Sequence, residues 1–163
     1  MLRYIDFGLS HMEVPGEASI CIYITGCPNR CPECHYSELQ LQNSGELLGK
    51  DLDTILAFYS PIASCICFLG EGTAGVADRN ELTNYAEKAH DLKLKCCLYS
   101  GRDTQIEDWM QVFDYVKVGR YRKDCGPLSS PNTNQRMYKK TKEGFTDITA
   151  EFWYRDLHST RQA

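Results

Sequence analysis

Apolar residues along this chain fall into short runs separated by stretches of helical spacing. Ser19-Ile20-Cys21-Ile22-Tyr23-Ile24-Thr25 is brief, β-branched and almost wholly apolar, which predicts a strand buried on both faces. Ser64-Cys65-Ile66-Cys67-Phe68-Leu69, Leu94 to Tyr99 and Tyr115 to Val118 read the same way. Between them, Asp51 to Tyr59 sets Leu52, Ile55, Leu56 and Tyr59 at helical intervals, with Pro61 just beyond. Asn80 to Leu92 puts Leu82, Tyr85, Ala86 and Ala89 on one helical face. Thr104 is a capping residue for a third helix through Phe113, with Ile106, Trp109, Met110 and Phe113 inward. Residues 1–12 predict a short strand or arm, and Val14-Pro15-Gly16-Glu17 a turn. Pro127 to Asn134 reads as an extended loop, and Lys142 to Thr149 as a last strand or hairpin.

Strand, loop and helix in repeated alternation predict an α/β fold with a mostly parallel sheet and right-handed crossovers. Each of the four strands runs into a glycine-bearing loop, at Gly26, Gly70, Gly101 and Gly119. In parallel sheets, ligands collect at the C-terminal ends of the strands. Residues 1–155 form a single domain on this reading, and 156–163 a polar, flexible tail. No internal repeat interrupts the pattern.

Composition narrows the function. With 163 residues and 42% hydrophobic side chains, the chain can bury a core without disulfides. Basic residues number 18 against 22 acidic, a net charge of −4, which argues against a general nucleic-acid binder. No apolar run approaches the roughly 18 residues of a membrane span. The start, MLRYIDFGLSHMEVPGE, lacks the pattern of a secretory signal, so the expected location is cytoplasmic. Nine cysteines cannot all pair internally. In a reducing compartment they read as metal ligands and buried thiols.

Three of the nine stand apart. Thr25-Gly26-Cys27-Pro28-Asn29-Arg30-Cys31-Pro32-Glu33-Cys34-His35 has the spacing C-x3-C-x2-C at the C-terminal end of the first buried strand. Two prolines and a glycine stiffen the loop. Three cysteines suit a [4Fe–4S] cluster with one iron left free of protein, and that iron can bind a substrate. A zinc site is the alternative. It wants a fourth ligand and usually a second cysteine pair; His35 is the nearest candidate, but it directly adjoins Cys34.

This segment resembles the cluster motif of the radical S-adenosylmethionine (SAM) superfamily. Two further stretches are similar to the activating proteins of anaerobic ribonucleoside-triphosphate reductase. Leu69-Gly70-Glu71 stands where that family has Gly-Gly-Glu/Asp. Gly126-Pro127-Leu128-Ser129-Ser130 is followed by Asn134-Gln135-Arg136. The likeness runs from about residue 14 to about residue 140. Two departures are plain: Leu69 replaces the first motif glycine, and Glu33 stands where the wider superfamily carries an aromatic residue.

The resemblance implies a compact, incomplete radical-SAM (β/α) barrel. It implies Cys27, Cys31 and Cys34 as ligands of a [4Fe–4S] cluster whose free iron is chelated by the amino and carboxylate groups of SAM. Reductive cleavage of SAM then yields a radical that removes hydrogen from a glycine of the partner reductase. It implies a low-potential electron donor such as a flavodoxin. Other readings are the activase of another glycyl-radical enzyme, a small synthase of the deazaguanine type, and a zinc-stabilised binding module. For SAM itself, Glu71 is a candidate acceptor for the ammonium group, since charge-assisted bonds are the stronger kind. Gly70 and Gly72 allow close backbone approach. Ser100 is a candidate for the carboxylate or ribose, and His35 or Tyr36 for the adenine. Lys117 offers a cation at the fourth strand's end, though a surface lysine is the commoner outcome for that residue type. Asn134, Gln135 and Arg136 are candidates for the substrate mouth or for the reductase contact. Cys65, Cys67, Cys96 and Cys97 read as small buried hydrophobes, with both thiols of the C-x-C pair on one strand face. Cys125 is the exposed thiol placed to meet a reductant, and Trp109 and Trp153 read as packing residues.

Overall fold

The computed structural model describes residues 1–153. The expected tail at 156–163 lies outside them. Strands and helices follow in the order β1 (Arg3–Ser10), β2 (Ser19–Ile24), β3 (Glu46–Leu47), α1 (Leu48–Tyr59), β4 (Cys65–Leu69), α2 (Val76–Asp91), β5 (Lys95–Tyr99), β6 (Tyr115–Val118), β7 (Arg136–Thr141) and β8 (Gly144–Asp147). The strands make one sheet in the order β3-β1-β2-β4-β5-β6-β7-β8.

The fold is α/β, as the alternation predicts, but the sheet is mixed rather than mostly parallel. The four apolar strands β2, β4, β5 and β6 pair in parallel. The flanks are antiparallel: β3 and β2 against β1, then β7 against β6 and β8 against β7. Parallel neighbours need a long crossover, whereas the short turn at Lys142-Glu143 permits only an antiparallel return. The N-terminal arm folds back through the turn at Gly16, whose φ is +78°, and adds β1 to the edge. The strand order has two free edges, β3 and β8, so the sheet is not closed.

Strand alternation sorts the core into two layers. Ile20, Ile22, Ile24, Ile66, Phe68, Cys96 and Leu98 face α1 and α2, where they meet Leu52, Leu56, Leu82, Ala86 and Ala89. Cys21, Cys65, Cys67, Cys97 and Tyr115 face the other way, against Val14, Met137 and Phe152. Burying one such side chain contributes about 1.5–3 kcal/mol. The expected helix from Thr104 shrinks to a 3₁₀ turn over Asp108–Val112, capped by Glu107. Its inward set survives: Met110 and Phe113 are buried, with Ile106 and Trp109 packed beside them. The backbone is still extended at Glu107, whose carboxylate accepts from Arg102.

Candidate functional site

The loops after β2, β4, β5 and β6 enclose a cleft of about 330 Å³ at the C-terminal ends of the parallel strands. Cys27, Cys31, Cys34, Gly70, Ser100 and Lys117 are among its lining residues. The sheet faces it with Tyr23, Leu69 and Tyr99 from the layer opposite the helices.

The cysteine loop is held at both shoulders. Thr25 Oγ1 donates to Ser44 O at 2.8 Å, Cys27 N–H to Leu39 O at 2.9 Å, and Gln42 Nε2 to Gly26 O at 3.0 Å. Gly26 takes a φ of +92°, and a Cβ there would meet the backbone of Gly72 at 3.5 Å. Arg30 and Glu33, the residues just before the second and third cysteines, also adopt positive φ, at 45° and 56°. Such conformations cost energy in non-glycine residues and persist where the surroundings enforce them. Asn29 fastens the loop to the end of β5, donating from Nδ2 to Gly101 O at 2.5 Å. Arg120 Nη2 donates to Asn29 O at 3.1 Å from beyond β6. Nothing but its place inside the motif marks Asn29 in the sequence.

All three loop thiols are free and half-buried. Burial pushes the Cys27 thiol up; the neighbouring thiols and Glu71 add to it, and the Asn29 backbone opposes it. Cations or a metal would reverse that balance by favouring thiolate.

Lys117 is buried, not a surface lysine. Its Nζ donates to Gly119 O at 2.7 Å and lies 5.8 Å from the centre of the Tyr99 ring. Burial lowers it to about 8, against a pull from Cys31, Asp103, Cys27 and Cys34. Ser100 is fully buried; its N–H donates to Lys117 O at 2.7 Å, and its Oγ accepts from Arg102 N–H at 3.2 Å. Thus β5 and β6 deliver a hydroxyl and an ammonium group to one wall.

The Gly-Glu-Gly turn divides between roles. Gly70 lines the cleft with φ +121°. Glu71 is buried outside the lining and accepts from Arg102 Nε at 2.8 Å and Nη2 at 3.3 Å. Its carboxylate is therefore already engaged. Gly72 packs so closely that a Cβ would lie 2.6 Å from Asp78 Oδ2 and 2.7 Å from Leu2 Cδ2. The candidate aromatics His35 and Tyr36 both line the cleft but lean on other rings, His35 edge-on to Tyr121 at 5.2 Å and Tyr36 against Tyr23 at 5.1 Å.

The Asn134-Gln135-Arg136 stretch is split by extended-chain alternation. Gln135 is buried and faces the cleft. Asn134 and Arg136 point to a second hollow beside Thr104 and Tyr138. Asn134 Nδ2 donates to Arg120 O at 3.0 Å. Cys65, Cys67, Cys96 and Cys97 are buried as predicted, and register sets Cys21, Cys67 and Cys97 abreast on three adjacent strands. Cys125 is half-buried and lies outside the cleft lining. No helix among the described residues is long and apolar enough to cross a membrane. No protein-family profile, curated protein or solved structure matches the chain.

Proposed function

We propose that this chain is a radical-SAM activase that generates a glycyl radical on anaerobic ribonucleoside-triphosphate reductase. One observation carries the reading: three free thiols from a single loop line one cleft at the C-terminal ends of four parallel strands. Three thiolates suit a [4Fe–4S] cluster with one iron left free of protein, whereas a structural zinc wants a fourth protein ligand.

In this reading Cys27, Cys31 and Cys34 hold a [4Fe–4S] cluster and SAM fills the rest of the cleft. When bound and reduced, the cluster supplies one electron for cleavage of SAM to methionine and a radical that takes hydrogen from a glycine of the protein substrate. The chain's own residues bind and orient. Lys117 provides a cation for the SAM carboxylate, and Ser100 a hydroxyl beside it. Tyr23, Leu69 and Tyr99 give an apolar wall that keeps water from the reacting atoms. Glu71 acts at one remove, fixing Arg102 and the loop after β5. Gln135 edges the mouth where the substrate glycine would enter. The open sheet is then the incomplete (β/α) barrel of this superfamily, its unclosed side leaving room for a loop of a second protein. A cytoplasmic low-potential donor such as a flavodoxin would supply the electron.

The test is anaerobic reconstitution with iron and sulfide, reduction in the presence of SAM, and detection of 5′-deoxyadenosine. Addition of the reductase should then give a glycyl-radical signal by electron paramagnetic resonance. Absence of 5′-deoxyadenosine from a brown, iron-loaded protein would overturn the chemistry. A radical on a different glycyl-radical enzyme alone would keep the chemistry and replace the partner.

A further inference from the structure

At the end of the sheet opposite the cysteine loop, His90, Cys96 and Asp114 bring a ring nitrogen, a thiol sulfur and a carboxylate oxygen within 4.8 Å of one another. The three come from different elements: the last turn of α2, the start of β5, and the residue before β6. Lys93, with φ +62°, turns the chain back so that β5 begins beneath the end of α2. Alternation along β5 sends Cys97 to the far layer and turns Cys96 toward α2.

The cluster is organised without any ion. His90 Nε2 and Asp114 Oδ2 are 2.9 Å apart, and the same oxygen accepts Cys96 N–H at 2.8 Å. Asp114 N–H donates to Cys96 O at 2.9 Å, so main chain and side chain both fix Asp114 to β5. The Cys96 thiol donates to Ala86 O at 3.3 Å, a weak bond that a metal can replace. His90 and Asp114 side chains are 37% and 36% exposed while Cys96 is buried, so solvent meets the group from the His–Asp side. A plain His–Asp clip would need no thiol at the same point.

We propose that His90, Cys96 and Asp114 form a zinc site, with water as fourth ligand, that staples the end of α2 to the starts of β5 and β6. The donor set decides the metal. One nitrogen, one sulfur and one oxygen suit borderline Zn²⁺, which takes three protein ligands and a water readily. Calcium and magnesium want oxygen ligands throughout. Binding releases the thiol proton to solvent and leaves His90 as neutral imidazole, its one proton on the ring nitrogen away from the metal; nothing is oxidised or reduced. The site is independent of the cleft and of what the cleft binds.

Cobalt(II) is the probe, added to the full chain carrying Cys27→Ser, Cys31→Ser and Cys34→Ser together, with the wild type titrated alongside. The expected result is one Co²⁺ per chain with a thiolate-to-cobalt charge-transfer band, displaced by Zn²⁺. Cys96→Ala should remove the band. His90→Gln, at a partly exposed position, should keep the fold and weaken binding about tenfold or more, since even indirect supports of a metal site cost that much. No bound cobalt, or a band that survives Cys96→Ala, would overturn the site. Should Cys96→Ala not fold, unchanged affinity in both His90→Gln and Asp114→Asn overturns it equally.

Discussion

Arg102 grips Glu71 with two of its nitrogens, Nε to Oε2 at 2.8 Å and Nη2 to Oε1 at 3.3 Å. The same guanidinium holds Glu107 at 2.7 and 2.9 Å. The end of β4, the loop after β5 and the 3₁₀ turn are thus tied at one point. The Glu71 side chain is only 4% exposed, and Arg102 is the cation beside it.

Arg102→Met is therefore expected to destabilise the fold. Removing one member of a buried pair costs about 3–5 kcal/mol, and the lower end applies because Arg102 keeps some solvent contact. Glu71→Gln should cost less, since it retains the shape and one acceptor. Urea unfolding at neutral pH measures both. A loss of roughly 1 kcal/mol or less for Arg102→Met would mean that Glu71 finds another donor or reaches water.

Much of this arrangement is legible in the sequence, and the part that is not has a physical cause. Each apolar run from Ser19, Ser64, Leu94 and Tyr115 becomes a parallel strand, because a strand buried on both faces must be apolar throughout. The thiols of Cys65 and Cys67 share a face because the strand period is two. The edges are less legible: β1 and β7 are mixed in polarity, and of their pairings only β7 with β8 has a tight turn to set its direction. The third helix is reduced to a 3₁₀ turn that starts only after Glu107, although the inward spacing of Met110 and Phe113 is kept. Lys117 reads as a surface residue by type, yet β6 lies between β5 and β7 and carries it inside. Glu17 sits in an apparent turn. There it accepts from Ser64 Oγ at 2.6 Å, Tyr115 OH at 2.8 Å and Lys95 Nζ, joining the starts of β4, β5 and β6. No local pattern announces a residue whose partners are up to 98 positions away.

Acid should loosen the Arg102 knot over a defined range. Arg102 holds the Glu107 carboxyl at about 2, against an ordinary value of 4.5, with Trp109 and Arg79 adding to the effect. A depressed carboxyl stabilises the fold fully above its unfolded value and ceases to do so as pH falls through the folded value. Wild type should therefore lose its advantage over Glu107→Gln between pH 4.5 and 2. Thermal melts of both proteins across that range check it. A constant difference down to pH 2 would mean that the Glu107 charge is not what Arg102 uses.

The cysteines should separate by location. Under the proposed function, Cys27→Ala, Cys31→Ala and Cys34→Ala each abolish 5′-deoxyadenosine formation. Cys65→Ala and Cys97→Ala should leave it largely intact while costing about 1 kcal/mol of stability through lost packing. The assay is product formation by reconstituted protein, read beside a urea melt. Equal loss of product in all five variants would mean that the wrong thiols are assigned as ligands.

Lys117 should trade stability for binding. Burial lowers it to about 8 from 10.5, and among the described residues it contacts Gly119 O and the Tyr99 ring rather than a carboxylate. A lysine with a lowered folded value penalises the fold while charged. The penalty is full below pH 8 and fades as pH rises toward 10.5, where the folded and unfolded groups are both neutral. Lys117→Met should accordingly be more stable than wild type at pH 7 by about 2 kcal/mol, after allowing for the lost bond to Gly119. That gap should close between pH 8 and 10.5. The same variant should bind SAM about tenfold more weakly, because a buried charge-assisted contact contributes about 1.5–3 kcal/mol. Equilibrium dialysis and urea melts on one preparation test both halves. A fold that tolerates a buried, unpaired ammonium group at rest is explained if a ligand's anion completes the pair. Wild-type affinity in a stabilised Lys117→Met protein would remove that explanation and send the search for the carboxylate's partner to Ser100 and the loop around Asn29.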